Sequence, residues 1–310
     1  MAQRLFFGVD VGGTFTKIAL VDEKSRLLAK SKFSSEGFSN KAFFAKTLRA
    51  NILSILSEHK LALRHLKGIG IGLPGPVDFD KGIVLSLTNI KGWNRFPLSA
   101  YLRRYFSVPV FIDNDANCMG LAESRLGAAR GTSYALCLTL GTGVGGALIL
   151  DRQIYRSSYF LSAEVGHIPV VLDGPKCSCG GRGCLERFVG NRALLSAARR
   201  VFKKDMSLEE VSCLAAKGDL RALKIWRDAG NIIGLAVSGV LNVFNPEIVV
   251  IGGGVAEAGD ALFASIRRTV TCHAMEQLKK YVKVKKAALG NDAGVLGAAL
   301  LAKEQVGIRV

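Results

Sequence analysis

The sequence predicts a soluble α/β protein built from two similar halves, with one domain in each half. Hydrophobic residues make up 49% of the 310 positions, and no apolar run is long enough to cross a membrane. The stretches 9–22 and 138–151 share one pattern: an apolar strand, a turn of glycine and threonine, and a second apolar strand that ends in aspartate. Two such hairpins, each followed by alternating strands and helices, indicate a duplicated fold.

Apolar periodicity predicts each element of the first half. A helix is indicated where apolar side chains recur every three or four residues, and a buried strand where a short apolar run is bounded by turns. In order, the predicted elements are the hairpin 9–22, a helix at 39–60, a strand at 68–73, a helix at 97–105, a strand at 108–112 and a helix at 116–126. We place the first domain at residues 1–115, so the last of these helices opens the second domain.

The second half repeats this alternation. The predicted elements are a strand at 133–140 that begins the second hairpin, helices at 191–203, 207–216 and 219–244, a strand at 247–251, and helices at 257–272 and 293–302. The second domain therefore covers residues 116–310, and no linker rich in proline or serine separates it from the first. The sequence also allows the C-terminal segment 293–310 to pack on the first domain.

The formal net charge of +17 raises the question of a nucleic-acid partner. The basic residues are dispersed, however, and the densest run, 279–286, has the alternation of a strand with one solvated face. No helix-turn-helix or RNA-binding signature accompanies it. We expect a surface that favours solubility or steers anionic ligands, with no specific nucleic acid and no membrane as partner.

A short glycine-rich stretch carries the ligands of a metal site. His167 is followed by Cys177, Cys179 and Cys184, and three thiolates with one imidazole form a closed tetrahedral zinc site. Disulfides or idle thiols are the alternatives, and a lone histidine is often a core residue. The seven cysteines are an odd number and no signal peptide precedes the first strand, so we expect a reducing cytoplasm and a zinc-binding loop at 164–186.

Two carboxylates flank these ligands without being needed for the ion. Glu164 and Glu186 would be held rigidly beside a structural metal, which indicates a platform for a polar ligand. The other cysteines stand in apolar contexts and are predicted to be small buried hydrophobic residues: Cys118, Cys137, Cys213 and Cys272.

Three glycine-rich turns follow predicted strands. They contain Gly12, Gly13 and Thr14; Gly141, Thr142 and Gly143; and Gly252, Gly253 and Gly254. Each turn taken alone is typical of an ordinary hairpin or loop. Two similar turns in a duplicated pair, facing each other across a cleft, would clamp the phosphates of ATP with their backbone N–H groups. Asp10 and Lys17 would add a carboxylate for a metal ion and a nearby cation.

A polar cluster follows the strand predicted at 108–112. In Asp113-Asn114-Asp115-Ala116-Asn117, we assign Asp113 and Asn117 to turn formation and helix capping. Asp115, near the predicted cleft between the domains, is a candidate general base that could take a proton from an alcohol. The loops 72–77 and 88–93 offer further hydrogen-bonding groups.

The whole chain resembles the ROK family, a branch of the actin-like ATPase superfamily that includes bacterial sugar kinases and transcriptional repressors. The resemblance rests on these motifs: Asp10 to Thr14, Gly72 to Val77, Asp113 to Asn117, Gly141 to Gly145, Glu164-Val165-Gly166-His167, and Cys177 to Glu186. It implies two domains of the ribonuclease H-like type with a cleft between them, an ATP-dependent sugar kinase, and a homodimer.

The resemblance also implies a role for each site residue. Asp115 would be the catalytic base, and the sugar would be bound by Gly75, Asn89, Asn114, Asp115, Glu164, His167 and Glu186. ATP would be held by Gly12, Gly13, Thr14, Lys17, Gly141, Thr142, Gly143, Gly253 and Gly254, with Mg²⁺ near Asp10. Zinc on His167, Cys177, Cys179 and Cys184 would be structural, and domain closure over the sugar would exclude water.

Departures from the family pattern lie around the sugar residues. Ala163 stands where glycine is common, Lys91 where proline is common, and Gly190-Asn191 where Ser-Gly is frequent. The leading prediction is glucokinase activity on the 6-hydroxyl of glucose, and the alternatives are kinases for N-acetylmannosamine, N-acetylglucosamine or fructose. A sugar-binding regulator is a remote alternative, because such repressors carry an N-terminal helix-turn-helix and this chain begins at its first core strand.

Overall fold

The computed structural model describes residues 4–87 and 90–308. The strands are β1 (Leu5–Val11), β2 (Phe15–Asp22), β3 (Leu27–Ser34), β4 (Leu66–Leu73), β5 (Val77–Asp78), β6 (Ile83–Val84), β7 (Val110–Asn114), β8 (Ala135–Leu140), β9 (Val144–Leu150), β10 (Gln153–Ile154), β11 (Ile248–Gly252) and β12 (Lys283–Lys286). The α-helices are α1 (Lys41–Glu58), α2 (Leu98–Leu102), α3 (Asp115–Arg125), α4 (Glu186–Val189), α5 (Asn191–Phe202), α6 (Leu208–Ala216), α7 (Leu220–Phe244), α8 (Asp260–His273) and α9 (Ala293–Gln305). Within these described ranges, no helix is long and apolar enough to span a membrane.

The chain folds into two compact units that are not continuous in sequence. The first contains the described residues up to Arg125, the segment Arg156–Ser162, and the described residues from Asn291 onward; the second contains Leu126–Tyr155 and Ala163–Gly290. The boundary predicted at residue 116 is too early, because α3 packs against α9, β4 and β7 of the first unit. Helix α9 also lies in the first unit, on β1 and β4, which is the placement that the sequence allowed.

The first unit contains a sheet with the strand order β3-β2-β1-β4-β7. β1 and β2 form the predicted antiparallel hairpin, and β4 and β7 continue the sheet in parallel with β1. Residues of β1 alternate between two faces, as expected for a strand. Leu5, Phe7 and Val9 join the core that includes α1, whereas Gly8 lies under α9. A Cβ atom at Gly8 would collide with the carbonyl oxygen of Val295, so glycine lets the helix lie directly on the sheet.

The second unit contains a sheet with the same arrangement, in the order β10-β9-β8-β11-β12. β8 and β9 are the second predicted hairpin, and β11 and β12 add in parallel to β8. Its core joins β8 to the long helix α7, with Trp226 and Ile233 packed in one cluster with Leu136 and Leu138. The shared strand order confirms the duplication that the two hairpins predict.

Several helices are shorter than predicted, among them α2 and α8. The helix predicted at 97–105 is the single turn α2, and the helix predicted at 257–272 begins at Asp260. Gly259 has φ of +83°, in the left-handed region, and separates α8 from a short 3₁₀ segment, Gly254–Ala258. A left-handed residue ends the helical geometry on both sides.

Candidate functional site

The carboxyl ends of β1, β4 and β7 carry most of the first-unit site residues. These strands run parallel, so their carboxyl ends meet at one edge of the sheet. That edge collects Asp10, Gly75, Asn114 and Asp115. The thiol of Cys118 marks the same place: burial raises its pKa, and the charges of Asp113, Asp10 and Asp115 raise it further. Asp10 is about a hundred positions before Asp113 and Asp115 in the sequence, and the fold brings all three carboxylates near one thiol.

The turn between β1 and β2 contains Gly12, Gly13 and Thr14. The Gly12 N–H donates to the carbonyl oxygen of Phe15 at 3.1 Å, and the Thr14 carbonyl accepts from Ser35 N–H at 2.9 Å. Gly13 and Thr14 are exposed. The turn is therefore closed by its own backbone, with exposed positions that a phosphate could approach.

Asp10 and Lys17 lie opposite each other in this hairpin. Burial raises the pKa of the Asp10 carboxyl, and the positive charge of Lys17 partly offsets that rise. The Lys17 Nζ donates to the carbonyl oxygen of Asn291 at 2.9 Å. Helix α9 begins beside the same carboxylate, because a Cβ atom at Gly294 would lie 2.9 Å from Asp10 Oδ2. A half-buried carboxylate with one nearby cation is suited to receiving further positive charge.

Asp115 is the first residue of α3, directly after β7. Its Oδ1 accepts from the backbone N–H of Ala116 at 2.8 Å. The side chain of Asn114 caps the helix, since its Oδ1 accepts from Ala116 N–H at 2.9 Å and from Asn117 N–H at 3.3 Å. Asn114 Nδ2 also donates to the Gly75 carbonyl at 3.4 Å, so two predicted sugar residues are in contact. The carboxylate of Asp115 thus begins a helix at the edge of the sheet.

Asp113 takes part in the turn, as predicted, because its Oδ1 accepts from the backbone N–H of Asn114 at 2.8 Å, but it does not cap the helix as predicted. Its carboxylate is buried and accepts two bonds from Arg156, at 2.6 and 2.9 Å, and one from Asn117 Nδ2 at 2.9 Å. Capping falls to Asn114 because its side chain, one position closer to the helix, reaches the free N–H groups of the first turn. Arg156 was missed, since it lies 43 positions away in a segment without a motif. Asn89 lies outside the described residues.

In the second unit, the turn between β8 and β9 contacts the side chain of Glu186. Gly141 N–H donates to the Gly143 carbonyl at 2.9 Å. The Val144 N–H donates to Glu186 Oε2 at 3.0 Å, and a Cβ atom at Gly143 would lie 2.5 Å from that oxygen. Glycine at 143 is therefore required for the carboxylate to reach the turn. A predicted sugar residue and a predicted ATP turn meet at this point.

The third glycine turn packs on the same strand end. Gly253 has φ of +86° and lies so close to β8 that an added Cβ atom would collide with the backbone of Leu140. Leu140 directly precedes Gly141, so the turns with Thr142 and with Gly253 and Gly254 are neighbours. In the second unit the fold therefore brings together both turns that the sequence predicts for ATP.

The four predicted metal ligands converge. The ligand atoms of His167, Cys177, Cys179 and Cys184 all lie within 4.8 Å of one another. The thiols of Cys179 and Cys184 are 3.7 Å apart, and Cys177 Sγ is 3.6 Å from His167 Nδ1. With metal–sulfur bonds of about 2.3 Å, the edges of a tetrahedral site measure about 3.8 Å. The donor set and the spacing therefore suit a four-coordinate metal ion.

The ring of His167 points its two nitrogens in different directions. Nδ1 faces the thiol of Cys177, whereas Nε2 lies 3.9 Å from Glu164 Oε2. Glu164 precedes the 3₁₀ turn Val165–His167, and its carbonyl accepts from His167 N–H at 2.9 Å. One short turn thus places Nδ1 of the imidazole beside a thiol of the predicted metal site and Nε2 beside an exposed carboxylate.

Two of the remaining cysteines differ from their prediction. Cys118 and Cys137 are buried as expected, but Cys213 and Cys272 are exposed. Both lie on helices, where apolar neighbours in sequence point to other faces of the helix.

Comparisons with known proteins agree with the motifs. The ROK family model matches residues 6–305. The glucokinase of Thermotoga maritima is 33% identical, with 99% of this chain and 100% of that protein covered. A ROK family glucokinase from Streptomyces griseus, solved in complex with glucose and AMPPNP, superposes with a TM-score of 0.82 at 30% identity over 97% of this chain and 99% of that one. The xylose repressor of Bacillus subtilis is 30% identical, over 94% of this chain and 74% of that protein. The chain therefore belongs to the ROK family.

Proposed function

We propose that this chain is an ATP-dependent hexose kinase that phosphorylates the 6-hydroxyl of glucose. The observation that carries the proposal is Asp115, a carboxylate at the start of α3 whose neighbours Asn114 and Ala116 are fixed by hydrogen bonds. The glucokinases of Thermotoga maritima and Streptomyces griseus are 33% and 30% identical to the chain over nearly its full length, and the second was solved with glucose and AMPPNP.

Asp115 would act as general base. As the glucose 6-oxygen attacks the γ-phosphorus of ATP, its proton passes to the Asp115 carboxylate. The bond between the γ-phosphorus and the β–γ bridging oxygen breaks, and ADP leaves with the electron pair. Phosphoryl transfer needs little covalent help, so positioning and charge neutralisation would supply most of the rate.

The sugar hydroxyls would be bound by side chains that are already oriented. Glu186 keeps one oxygen on the Val144 N–H, and a carboxylate has further lone pairs for sugar hydroxyls. Nε2 of His167 faces Glu164, so a proton on Nε2 could be donated to a sugar oxygen beside that carboxylate. We assign Gly75, Asn89 and Asn114 to the same substrate.

ATP would be held by the three glycine turns, with Gly12, Gly13, Thr14, Gly141, Thr142, Gly143, Gly253 and Gly254 as the contact residues. Mg²⁺ bound with ATP would neutralise phosphate charge during transfer. Asp10 would provide the carboxylate facing that ion, and Lys17 the cation beside it. The direct pairing of Asp10 with Lys17 in the first hairpin supports this assignment.

We assign Zn²⁺ to His167, Cys177, Cys179 and Cys184. When bound, the ion would fix the loop and the imidazole by coordination, without taking part in the transfer. Coordination through Nδ1 leaves Nε2 protonated, which makes it a hydrogen-bond donor. Thiolate ligands must stay reduced, so we also propose a cytoplasmic location.

Two broader features belong to the proposal. The repeated strand order supports the actin-like ATPase fold, in which two related α/β domains act on one nucleotide. Family membership supports a homodimer, which sedimentation equilibrium would measure.

A coupled ADP-release assay tests the proposed function directly. ATP·Mg²⁺ is supplied with glucose, mannose, fructose, allose, N-acetylglucosamine or N-acetylmannosamine in parallel. We expect glucose to give the highest kcat/KM. Turnover only on an N-acetylhexosamine or fructose would contradict glucose as the substrate but support kinase activity. Absence of turnover on every sugar would contradict kinase activity and favour a sugar-binding regulator, the candidate that the similarity to a xylose repressor supports.

A further inference from the structure

Asp113, the penultimate residue of β7, carries a buried carboxylate that the proposed chemistry does not use. Its relative exposure is 3%. One oxygen, Oδ1, accepts from the backbone N–H of Asn114 at 2.8 Å and from Nδ2 of Asn117 at 2.9 Å. These two donors flank Asp115 along the chain, one on each side. The orientation of the Asp113 carboxylate therefore fixes the turn that carries the proposed base.

The other oxygen of Asp113 is held by Arg156. The Arg156 Nε donates to Oδ2 at 2.9 Å and Nη2 donates to the same oxygen at 2.6 Å. The guanidinium carbon lies 3.7 Å from the centre of the Phe79 ring. The planar guanidinium is thus held by a ring on its face and by a carboxylate at its edge. Such an arrangement permits one orientation of the carboxylate.

We propose that Arg156 is a positioning residue for phosphoryl transfer. It fixes Asp113, and Asp113 fixes Asn114 and Asn117 on either side of Asp115. The inference rests on the proposed function, in which Asp115 is the general base, and Arg156 acts through Asp113 rather than on the sugar.

Removal of the guanidinium has a defined structural consequence. Arg156 is the counter-charge of Asp113, and its positive charge also lowers the pKa of the Cys118 thiol, which Asp113, Asp10 and Asp115 raise. A buried carboxylate that loses its counter-charge rotates toward water or takes up a proton. Either change weakens its bonds to the turn and releases Asp115, and a misplacement of about 1 Å can lower a rate about 100-fold.

The same unit contains a matched ion pair at the opposite end of the first hairpin from its glycine turn, where Asp22 pairs with Leu5 at the start of β1. Asp22 is also buried, and its Oδ1 accepts the backbone N–H groups of Lys24 and Arg26, each at 2.9 Å. Its Oδ2 accepts from Arg26 Nε at 2.7 Å. Arg26 is more exposed than Arg156, at 69% against 21%. Arg26→Met therefore removes an arginine–aspartate pair of the same pattern without touching the turn of Asp115.

The test compares Arg156→Met, Arg156→Lys and Arg26→Met with the wild type. For each we would measure kcat and KM for glucose and ATP, the glucose Kd by calorimetry, and Tm. Arg156→Met should lower kcat about 10- to 100-fold, while the glucose Kd stays within about threefold. Arg156→Lys should recover part of kcat, because the ammonium keeps the positive charge but not the two adjacent N–H donors of the guanidinium. Arg26→Met should keep kcat within about twofold.

A folded Arg156→Met with kcat within about twofold of the wild type would overturn the inference. If Arg156→Met does not fold, Arg156→Lys tests the inference instead. A wild-type kcat in Arg156→Lys then overturns it. An equal loss of kcat in Arg26→Met and Arg156→Met would also contradict the inference, because the loss of any arginine–aspartate pair in this unit would then lower kcat. A wild type without turnover on any sugar overturns the proposed function, and this inference with it.

Discussion

Ala163 lies in the left-handed region, with φ of +58°, directly before Glu164. An L-residue with a Cβ atom is strained there by about 1–2 kcal/mol, whereas glycine adopts the region freely. This explains physically why glycine is common at this position in the family that the sequence resembles. The departure at Ala163 therefore costs stability at the base of the turn that carries Glu164.

Ala163→Gly should stabilise the protein by about 0.5–1 kcal/mol, because relief of strain exceeds the added chain entropy of glycine. Chemical denaturation would measure the free energy of unfolding. Ala50→Gly, on the exposed face of α1, is the control and should destabilise by about 1 kcal/mol. Equal destabilisation by both changes would contradict strain at Ala163.

Motifs in the sequence proposed most of the candidate site residues, and the predictions erred where the tertiary structure decides a partner. The ligands His167, Cys177, Cys179 and Cys184 are close in sequence, so their convergence follows from local turns. The ion pair of Asp113 was not predicted, because its partner, Arg156, comes from a segment that only the tertiary structure brings to β7. No periodicity or motif marks such a pair.

The loop 164–186, which carries the proposed zinc ligands, is the element on which the proposed sugar contacts of Glu164, His167 and Glu186 depend. Cys179 is exposed, and its thiol lies 3.7 Å from that of Cys184. Cys179→Ser should release most of the zinc, because a serine hydroxyl is a poor ligand, and should weaken glucose binding about 10-fold or more. Metal content by mass spectrometry and glucose Kd by calorimetry would be measured together. Cys213→Ser is the control outside the loop, and stoichiometric zinc in Cys179→Ser would refute the assignment.

Helix α7 begins at a capping carboxylate. Asp219 accepts from the N–H groups of Arg221 and Ala222, and the side-chain bond from Arg221, together with these N–H groups, lowers the pKa of Asp219 to about 2 from 3.8. Because the folded-state pKa is depressed, its stabilisation is present above about pH 4 and is lost as the pH falls toward 2.

Asp219→Asn should therefore lower Tm at neutral pH in low salt, and the difference from the wild type should shrink below about pH 4. Thermal melts over a pH series would measure it. Glu209→Gln, on α6, is the control. A difference in Tm that stays constant down to the acid limit would contradict an ionised cap.

The sequence predicted the existence of most elements, and boundaries differed where a local signal was weak. Strong apolar periodicity placed α1, α5, α6 and α7 within a few residues. α8 starts later than predicted because Gly259 adopts a positive φ. Glycine permits that conformation, but nothing in the sequence indicates it.

At the scale of the whole molecule, the duplicated strand order follows from two similar hairpins, whereas the division into units does not. The segment 156–162 and helix α9 belong to the first unit although both follow residues of the second. The placement of α9 depends on contacts with Gly8 and Gly70, where the absence of a side chain is the deciding feature, and Arg156 of the other segment pairs with Asp113. The net charge of +17 accords with an anionic substrate such as ATP, which a basic surface would attract.

The most direct test of the central claim is the rate of ADP release with saturating glucose, measured for the wild type and for Asp115→Asn. The amide keeps the shape of the side chain but cannot accept the hydroxyl proton as a carboxylate does. We predict that kcat falls about 10²- to 10⁴-fold while the glucose Kd changes little. Asp228→Asn, on the surface of α7, is the control and should retain wild-type kcat. An Asp115→Asn enzyme that turns over glucose at a rate near that of the wild type would contradict Asp115 as the base.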